Sequence, residues 1–85
     1  MTPREISIER AILTALSAVP PGMLLGDETL RADAARIVRP RASTVELDAR
    51  IRALDEKRRI AGIQGDLGME YEITQAGRLW LAQNP

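Results

Sequence analysis

The sequence predicts a small α+β domain, and three observations support this class. Before Arg59, apolar residues recur mostly at spacings of three and four, as on one face of a helix. From Ile60 to Ile73 the spacing changes to two, on both sides of a glycine-containing loop. Thr74 then precedes a last short apolar run, as a helix cap would. We expect the 85 residues to form a single domain, 1–85, which at this size buries only about 60–65 % of its unfolded surface.

The first helix is predicted to start at Thr2, whose hydroxyl can accept a hydrogen bond from an amide of the first turn. Pro3 suits the first helical position, and Glu5 completes a capping box. The apolar face of this helix carries Ile8, Ile12, Leu16 and Val19. The segment Pro20–Gly22 ends the helix, because proline cannot donate to the helical hydrogen-bond ladder.

A short strand and a second helix are predicted next. Met23–Leu25 lies between two glycines, is too short for a helix, and fits a strand that adds to a later hairpin. Asp27 is the expected N-cap of the second helix, which ends before Pro40. The apolar face of this helix carries Leu30, Ala34 and Ile37.

The third helix is predicted over about Thr44–Arg58. Ser43 or Thr44 caps it, and a capping box of Ser43 with Glu46 is available. Its buried stripe carries Leu47, Ile51 and Leu54. This helix would follow the second one after a tight turn.

A hairpin is predicted around the loop Gly65–Gly68, and Thr74 caps a last helix that offers apolar residues for burial. Those residues are Leu79, Trp80 and Ala82. Two helices joined by a tight turn and followed by a hairpin describe a winged helix-turn-helix. The predicted architecture is a three-helix core, a short strand plus a β-hairpin wing, and a short C-terminal helix.

Several motifs carry a resemblance to a known family. Ser43-Thr44-Val45 opens the third helix, LDEKRRI spans residues 54–60 and YEITQAGR spans residues 71–78. With these motifs the segment 43–81 resembles the core of winged-helix bacterial regulators of the MarR/PadR type. The layout is also similar to that of small winged-helix proteins encoded in Mu-like prophages. The family phrase L-x-x-x-G-x-I leads from the recognition helix to the wing, and here Arg59 replaces the glycine before Ile60.

The charge of the chain is zero overall but unevenly distributed. Between Arg31 and Arg59 there are nine basic and five acidic residues, a net charge of +4, and the remaining residues carry −4. A basic middle third between acidic flanks favours a nucleic-acid partner more than the net charge alone does.

Other classes of function are disfavoured. The chain has no cysteine and no histidine, so we expect no disulfide, no metal and no cofactor. It has no serine-centred nucleophile motif and no phosphate-binding glycine loop, so we expect no catalytic residues and no enzymatic activity. The first residues are polar and no apolar run approaches the roughly 20 residues of a membrane span, so we expect a cytoplasmic protein without membrane contact.

The sequence therefore predicts a sequence-specific binder of double-stranded DNA, acting as a homodimer in bacterial or phage transcription regulation. The third helix would enter the major groove, with phosphate contacts from the turn before it. The predicted DNA-binding residues are Arg39, Arg41, Ser43, Thr44, Glu46, Arg50, Lys57 and Arg58. The predicted dimer interface comprises Ile8, Leu79 and Trp80.

Each of these assignments has a structural alternative. Arg50 with Glu46, and Arg52 with Asp48, are spaced for ion pairs within the third helix. Cations such as Lys57 and Arg58 are also favoured at a helix C-terminus without any ligand. Trp80 is as well suited to the core as to an interface.

The composition of the hairpin indicates an alternative function for the whole protein. Its tip, Gly65–Gly68, offers an aspartate where the family commonly has Arg or Lys, and the long dimerisation helices of full regulators are missing. The alternative function is a winged-helix protein–protein interaction module that does not bind DNA. In that case the arginine-rich face would dock on an acidic partner, or the hairpin would add to another sheet.

Overall fold

The computed structural model describes residues 1–85 as four α-helices and a three-stranded antiparallel β-sheet. The elements in chain order are α1 (Pro3–Ser17), β1 (Leu25–Gly26), α2 (Asp27–Ile37), α3 (Thr44–Glu56), β2 (Ile60–Gly65), β3 (Gly68–Ile73) and α4 (Gln75–Gln83). The predicted α+β class and the predicted order of elements are confirmed. The arrangement is compatible with a winged helix.

The helix starts follow local capping chemistry. Both α1 and α3 begin with a complete capping box, Thr2 with Glu5 and Ser43 with Glu46. Thr74 caps α4, since its hydroxyl accepts from the amide of Gly77 at 3.1 Å. These three caps are the predicted ones, and they fix where each helix enters the fold.

Two predictions at the start of α2 are wrong by one or two residues. The first strand is Leu25–Gly26 instead of Met23–Leu25, because Leu25 lies opposite Tyr71 on β3. The N-cap of α2 is Gly26, and Asp27 is the first residue of the helix. No side chain makes a capping hydrogen bond at this helix start. The Asp27 carboxylate instead pairs with Arg31, one turn along the helix, at 3.5 Å.

The core lies between the three long helices and the base of the sheet. Its sixteen residues include the predicted stripes of α1 and α3, with Leu47, Ile51 and Leu54 all buried. The prediction for α2 is wrong at Ile37, which is 48 % exposed, whereas Ala35 and Val38 are buried. Val19, half-buried beyond the end of α1, also lies outside this core, as do the three predicted positions on α4: Leu79 and Ala82 are exposed, and Trp80 is half-buried against the core.

The sheet has the order β1-β3-β2, so β3 is central and β2 forms one edge. The hairpin register runs from Ile60 opposite Ile73 to Gly65 opposite Gly68, which leaves Asp66 and Leu67 as a two-residue turn. The tip side chain of Leu67 is fully exposed.

The junction between α3 and β2 is a left-handed helix cap at Arg58, whose φ is 58°. The amide of Arg58 donates to Asp55 O at 3.0 Å and that of Arg59 to Leu54 O at 2.9 Å. This pair of bonds is a Schellman motif, which usually has glycine at the left-handed position. In the spacing L-x-x-x-G-x-I, counted from Leu54, the glycine position is therefore Arg58 and not Arg59. The left-handed residue also ends α3 at Glu56, before the predicted Arg58.

The last helix packs close to this junction because it has a glycine at the point of contact. A Cβ at Gly77 would overlap the carbonyl oxygen of Arg59, so only glycine permits this approach. The same carbonyl accepts from the amide of Thr74 at 3.1 Å. No helix of the chain combines the length and the apolar character needed to cross a bilayer.

Candidate functional site

The predicted DNA-binding residues do not gather on one surface. Arg39 and Arg41 are exposed in the turn before α3, next to Ser43 and Thr44. Lys57 and Arg58 are exposed after the other end of α3. A helix of thirteen residues separates the two groups by about 20 Å. They form two small basic clusters, and the second lies beside the hairpin and not beside the turn.

Arg50 is held inside the fold by acidic residues of α1. Its guanidinium lies 3.0 Å from Glu9 Oε2 and 3.4 Å from Glu5 Oε2, and 19 % of its side chain is exposed. The pair with Glu46 that the helical spacing favours is not formed. The charge of Arg50 is therefore already paired within the chain, and its contact with DNA stays a prediction.

Glu46 likewise points to α1 and not outward. Arg4 Nε lies 3.0 Å from Glu46 Oε2, and a second guanidinium nitrogen of Arg4 reaches Oε1 at 3.2 Å. These hydrogen bonds from Arg4, together with the one from the amide of Ser43, lower the pKa of Glu46 from 4.5 to about 2. Both carboxylate oxygens of Glu46 are therefore engaged within the chain, and its DNA contact stays a prediction.

The most deeply buried charge, Glu9, has no role in the sequence prediction. Its side chain is fully buried, binds Arg50 and lies 3.8 Å from Arg59 Nη1. The Arg59 guanidinium also sits over the ring of Trp80, 5.3 Å from its centroid. A signal was present, because Glu9 precedes Leu13 by four residues and so lies on the apolar face of α1.

A cleft lies between α2, α3 and the sheet. It is lined by Asp27, Arg31, Asp48, Ile51, Arg52, Asp55 and Tyr71. Arg31 pairs with Asp27 and also with Asp48, at 3.4 Å, whereas no ion pair involves Asp55 or Arg52. The predicted Asp48–Arg52 pair is therefore absent.

The pKa of Tyr71 is affected by the negative charges around this cleft. Burial raises the pKa of its phenol, and the nearby charges of Asp55, Asp27 and Asp48 raise it further, against a smaller opposing effect of Arg31. Three carboxylates thus act on a single hydroxyl at the base of the cleft.

The acidic character extends beyond the cleft. We use the term acidic face for the charged residues of the first turns of α2, the outward side of α3 and the tip of the hairpin. These residues are Asp27, Glu28, Arg31, Asp48, Arg52, Asp55, Glu56 and Asp66. Six carboxylates stand against two guanidinium groups, a formal charge of −4, and the hairpin itself has no Lys or Arg. Glu70 and Glu72 alternate with Tyr71 along β3 and so lie on the other side of the sheet.

The three residues predicted for a dimer interface are in different environments. Ile8 is 1 % exposed and belongs to the core, so its side chain is packed within the chain and presents no surface. Leu79 is 61 % exposed on α4. Trp80 is half-buried against the core and under Arg59.

No group of three or more His, Cys, Asp or Glu side chains is arranged to hold a metal ion. Comparisons of the chain with protein-family models, with curated proteins and with solved structures found no match.

Proposed function

We propose that the chain is a winged helix-turn-helix domain that acts as a protein-interaction module, and that its acidic face docks a partner segment rich in Lys and Arg. The observation that carries this proposal is the formal charge of −4 on the acidic face. In a winged helix the third helix is the element that enters the major groove of DNA. Here that helix exposes Asp48, Asp55 and Glu56 against a single cation, Arg52.

The charges on this face oppose a duplex and favour a basic peptide. DNA affinity depends on cations that neutralise phosphates, and carboxylates in their place repel the backbone. Arg31 is already bound to two aspartates, and Arg50 is bound to Glu9 and Glu5. A Lys or Arg side chain from a partner would find Asp55 without an ion pair and the ring of Tyr71 beside it. The apolar stems of such side chains would pack on Ile51 at the base of the cleft.

The test is a pair of anisotropy titrations at low salt. One probe is a fluorescein-labelled peptide of alternating Arg, Lys and Ser, and the other is a labelled duplex of random sequence. We expect the peptide to bind and the duplex not to bind at tens of micromolar protein. The double variant Asp48→Asn, Asp55→Asn removes two charges from the cleft and should weaken the peptide by roughly 3- to 10-fold.

Asp33→Asn is the control and is compared with each single variant, Asp48→Asn and Asp55→Asn, because it removes one charge from the other side of α2, where Asp33 pairs with Arg36. It should leave peptide affinity unchanged. Equal losses in the control and the cleft variant would show general charge attraction without a site. Binding of the duplex but not the peptide would overturn the proposal.

DNA binding in transcription regulation is the second candidate function, and one observation favours it. Arg39 and Arg41 are exposed just before α3 and have no carboxylate partner. Phosphate contacts would then come from this turn and not from the face of α3. If the duplex binds, Arg39→Ala with Arg41→Ala should reduce its affinity and lower the salt slope by about 2.

A further inference from the structure

A groove between α1 and the end of α2 is basic, and no carboxylate lines it. Its volume is about 260 Å³. We use the term basic groove for it, and its lining includes Ser7, Arg10 and Thr14 from α1 with Ile37, Val38 and Arg39 from the end of α2. The three α1 residues follow one another at spacings of three and four, so they lie along one side of that helix.

Arg10 is available to an anion in this groove. It forms no ion pair, and neither does Arg39, whereas five other arginines of the chain do. Arg10 Nη2 lies 3.5 Å from Ser7 Oγ, and its other guanidinium nitrogens have no partner. A guanidinium presents its N–H donors in a planar fork that matches two oxygens of a phosphate group.

Arg39 is held in position by the end of α2. Its Nη1 donates to Arg36 O at 2.7 Å and to Val38 O at 3.3 Å, whereas its Nε and Nη2 have no partner. Carbonyl oxygens at a helix C-terminus carry partial negative charge, which would repel an anion. Because Arg39 donates to two of these oxygens, it reduces that repulsion and still has donors for a ligand.

The charge and the size of the basic groove indicate which anion fits. Two guanidinium groups balance the roughly two negative charges of a phosphate monoester, whereas a phosphodiester group carries only one. The hydroxyls of Ser7 and Thr14 can donate to further phosphate oxygens. The volume is below the roughly 300–1,000 Å³ of pockets for drug-sized ligands. Ile37 is 48 % exposed and offers an apolar wall to the organic part of a small ligand.

We propose that the basic groove binds a small organic phosphate monoester. Arg10 on α1 and Arg39 after α2 contact the phosphate, and Ile37 packs against the organic group. The acidic face contributes no residue to this groove, so the proposal goes beyond the docking function and does not depend on it.

An NMR titration of the amides of the ¹⁵N-labelled chain tests this site. The probes are phenyl phosphate, a monoester, and dimethyl phosphate, a diester, at a pH well above the monoester's second pKa of about 6. We expect phenyl phosphate to shift the amides of residues 7–14 and 37–39 at millimolar concentration, and dimethyl phosphate to bind at least roughly 5-fold more weakly. Equal affinities for the two probes, or no localised shift at tens of millimolar phenyl phosphate, would overturn the proposal.

Substitution of Arg10 separates the site from general charge attraction. Arg10→Gln should weaken phenyl phosphate roughly 10-fold, because it removes one of the two charged donors. Arg41→Gln is the matched control, since Arg41 is exposed in the turn before α3 and does not line the basic groove. It should change the affinity less than about 2-fold. Equal losses in the two variants would contradict the assignment of the groove.

Substitution of Ile37 tests the organic part of the ligand. Ile37→Ala should weaken phenyl phosphate roughly 3-fold and leave inorganic phosphate unchanged, because only the phenyl group reaches the apolar wall. A phosphoserine peptide or a DNA duplex that shifts the same amides at concentrations where phenyl phosphate does not would assign the groove to a macromolecule and overturn the proposal.

Discussion

At the scale of single residues, the backbone conformation at Arg58 shows how a side chain can be tolerated at a position that suits glycine. The Schellman motif needs a left-handed residue after the cap Lys57, and Arg58 has φ 58° there. The left-handed conformation costs an L-residue about 1–2 kcal/mol. The rest of the junction holds it in place, because Arg58 O also accepts from the hydroxyl of Thr74 at 2.7 Å.

We expect Arg58→Gly to stabilise the chain by about 1 kcal/mol, since the relief of strain exceeds the added entropy of the unfolded state. In a domain of this size the melting temperature would rise by roughly 4–8 °C. Thermal unfolding at one fixed protein concentration, with the unmodified chain as the background, measures the effect. Lys57→Gly, at φ −84°, is the control and should destabilise. A melting temperature for Arg58→Gly below that of its background would contradict the strain argument.

At the scale of elements, the starts of α1 and α3 are fastened together by one ion pair. Glu46 completes the cap of α3 and also binds Arg4, whose guanidinium donates to Pro40 O at 2.6 Å as well. Residues close to two helix starts and to the turn between α2 and α3 thus meet at one point. The pair replaces the intrahelical contact with Arg50 that the spacing favoured.

This pair makes stability depend on acid pH. The pKa of Glu46 is lower in the folded chain, about 2, than its ordinary 4.5, so the folded state favours the charged form. Its stabilising contribution is complete above about 4.5 and is lost as the pH falls toward 2. We expect Glu46→Gln to flatten the pH dependence of the unfolding free energy in this range, and Glu28→Gln to leave it unchanged. A carboxyl titration of Glu46 by NMR with an ordinary midpoint would refute this account.

At the scale of the whole molecule, the buried carboxylate of Glu9 joins three elements. It lies on α1 and faces Arg50 of α3 and Arg59 at the start of β2. Its Oε1 and Arg59 Nη1 have no hydrogen-bond partner, so the network is held by charge more than by ideal geometry. Removing one partner of a buried network leaves the other charges uncompensated.

We therefore expect Glu9→Gln to lower the free energy of unfolding by about 3 kcal/mol, a large part of what a domain of this size has. Urea denaturation followed by the fluorescence of Trp80 measures it. Glu5→Gln removes the more exposed partner of the same Arg50 and should cost much less, because solvent screens that pair. Similar losses in the two variants would mean that burial of Glu9 adds nothing.

The charge pattern of the whole molecule was predicted in outline and changed in detail by folding. The basic middle third exists in the sequence. In the fold, some of its arginines form ion pairs with carboxylates, and others lie in two separate basic clusters. Arg31, Arg36, Arg50 and Arg59 all face acidic partners. The surface left around α3 and the hairpin is acidic, which is why the docking function is favoured over DNA binding here.

The sequence by itself determined most of the helix caps and periodicities, which depend on neighbours within about one turn or one strand pair. The caps at Thr2, Ser43 and Thr74, the buried stripe of α3 and the hairpin all follow from spacings of two to four residues. Only the tertiary structure decided which charges are free. Arg50 and Glu9 are 41 residues apart and Arg4 and Glu46 are 42 apart, so no local spacing indicates either contact. The packing of α1 against α3 brings these groups within bonding distance, and a strong electrostatic attraction requires that proximity.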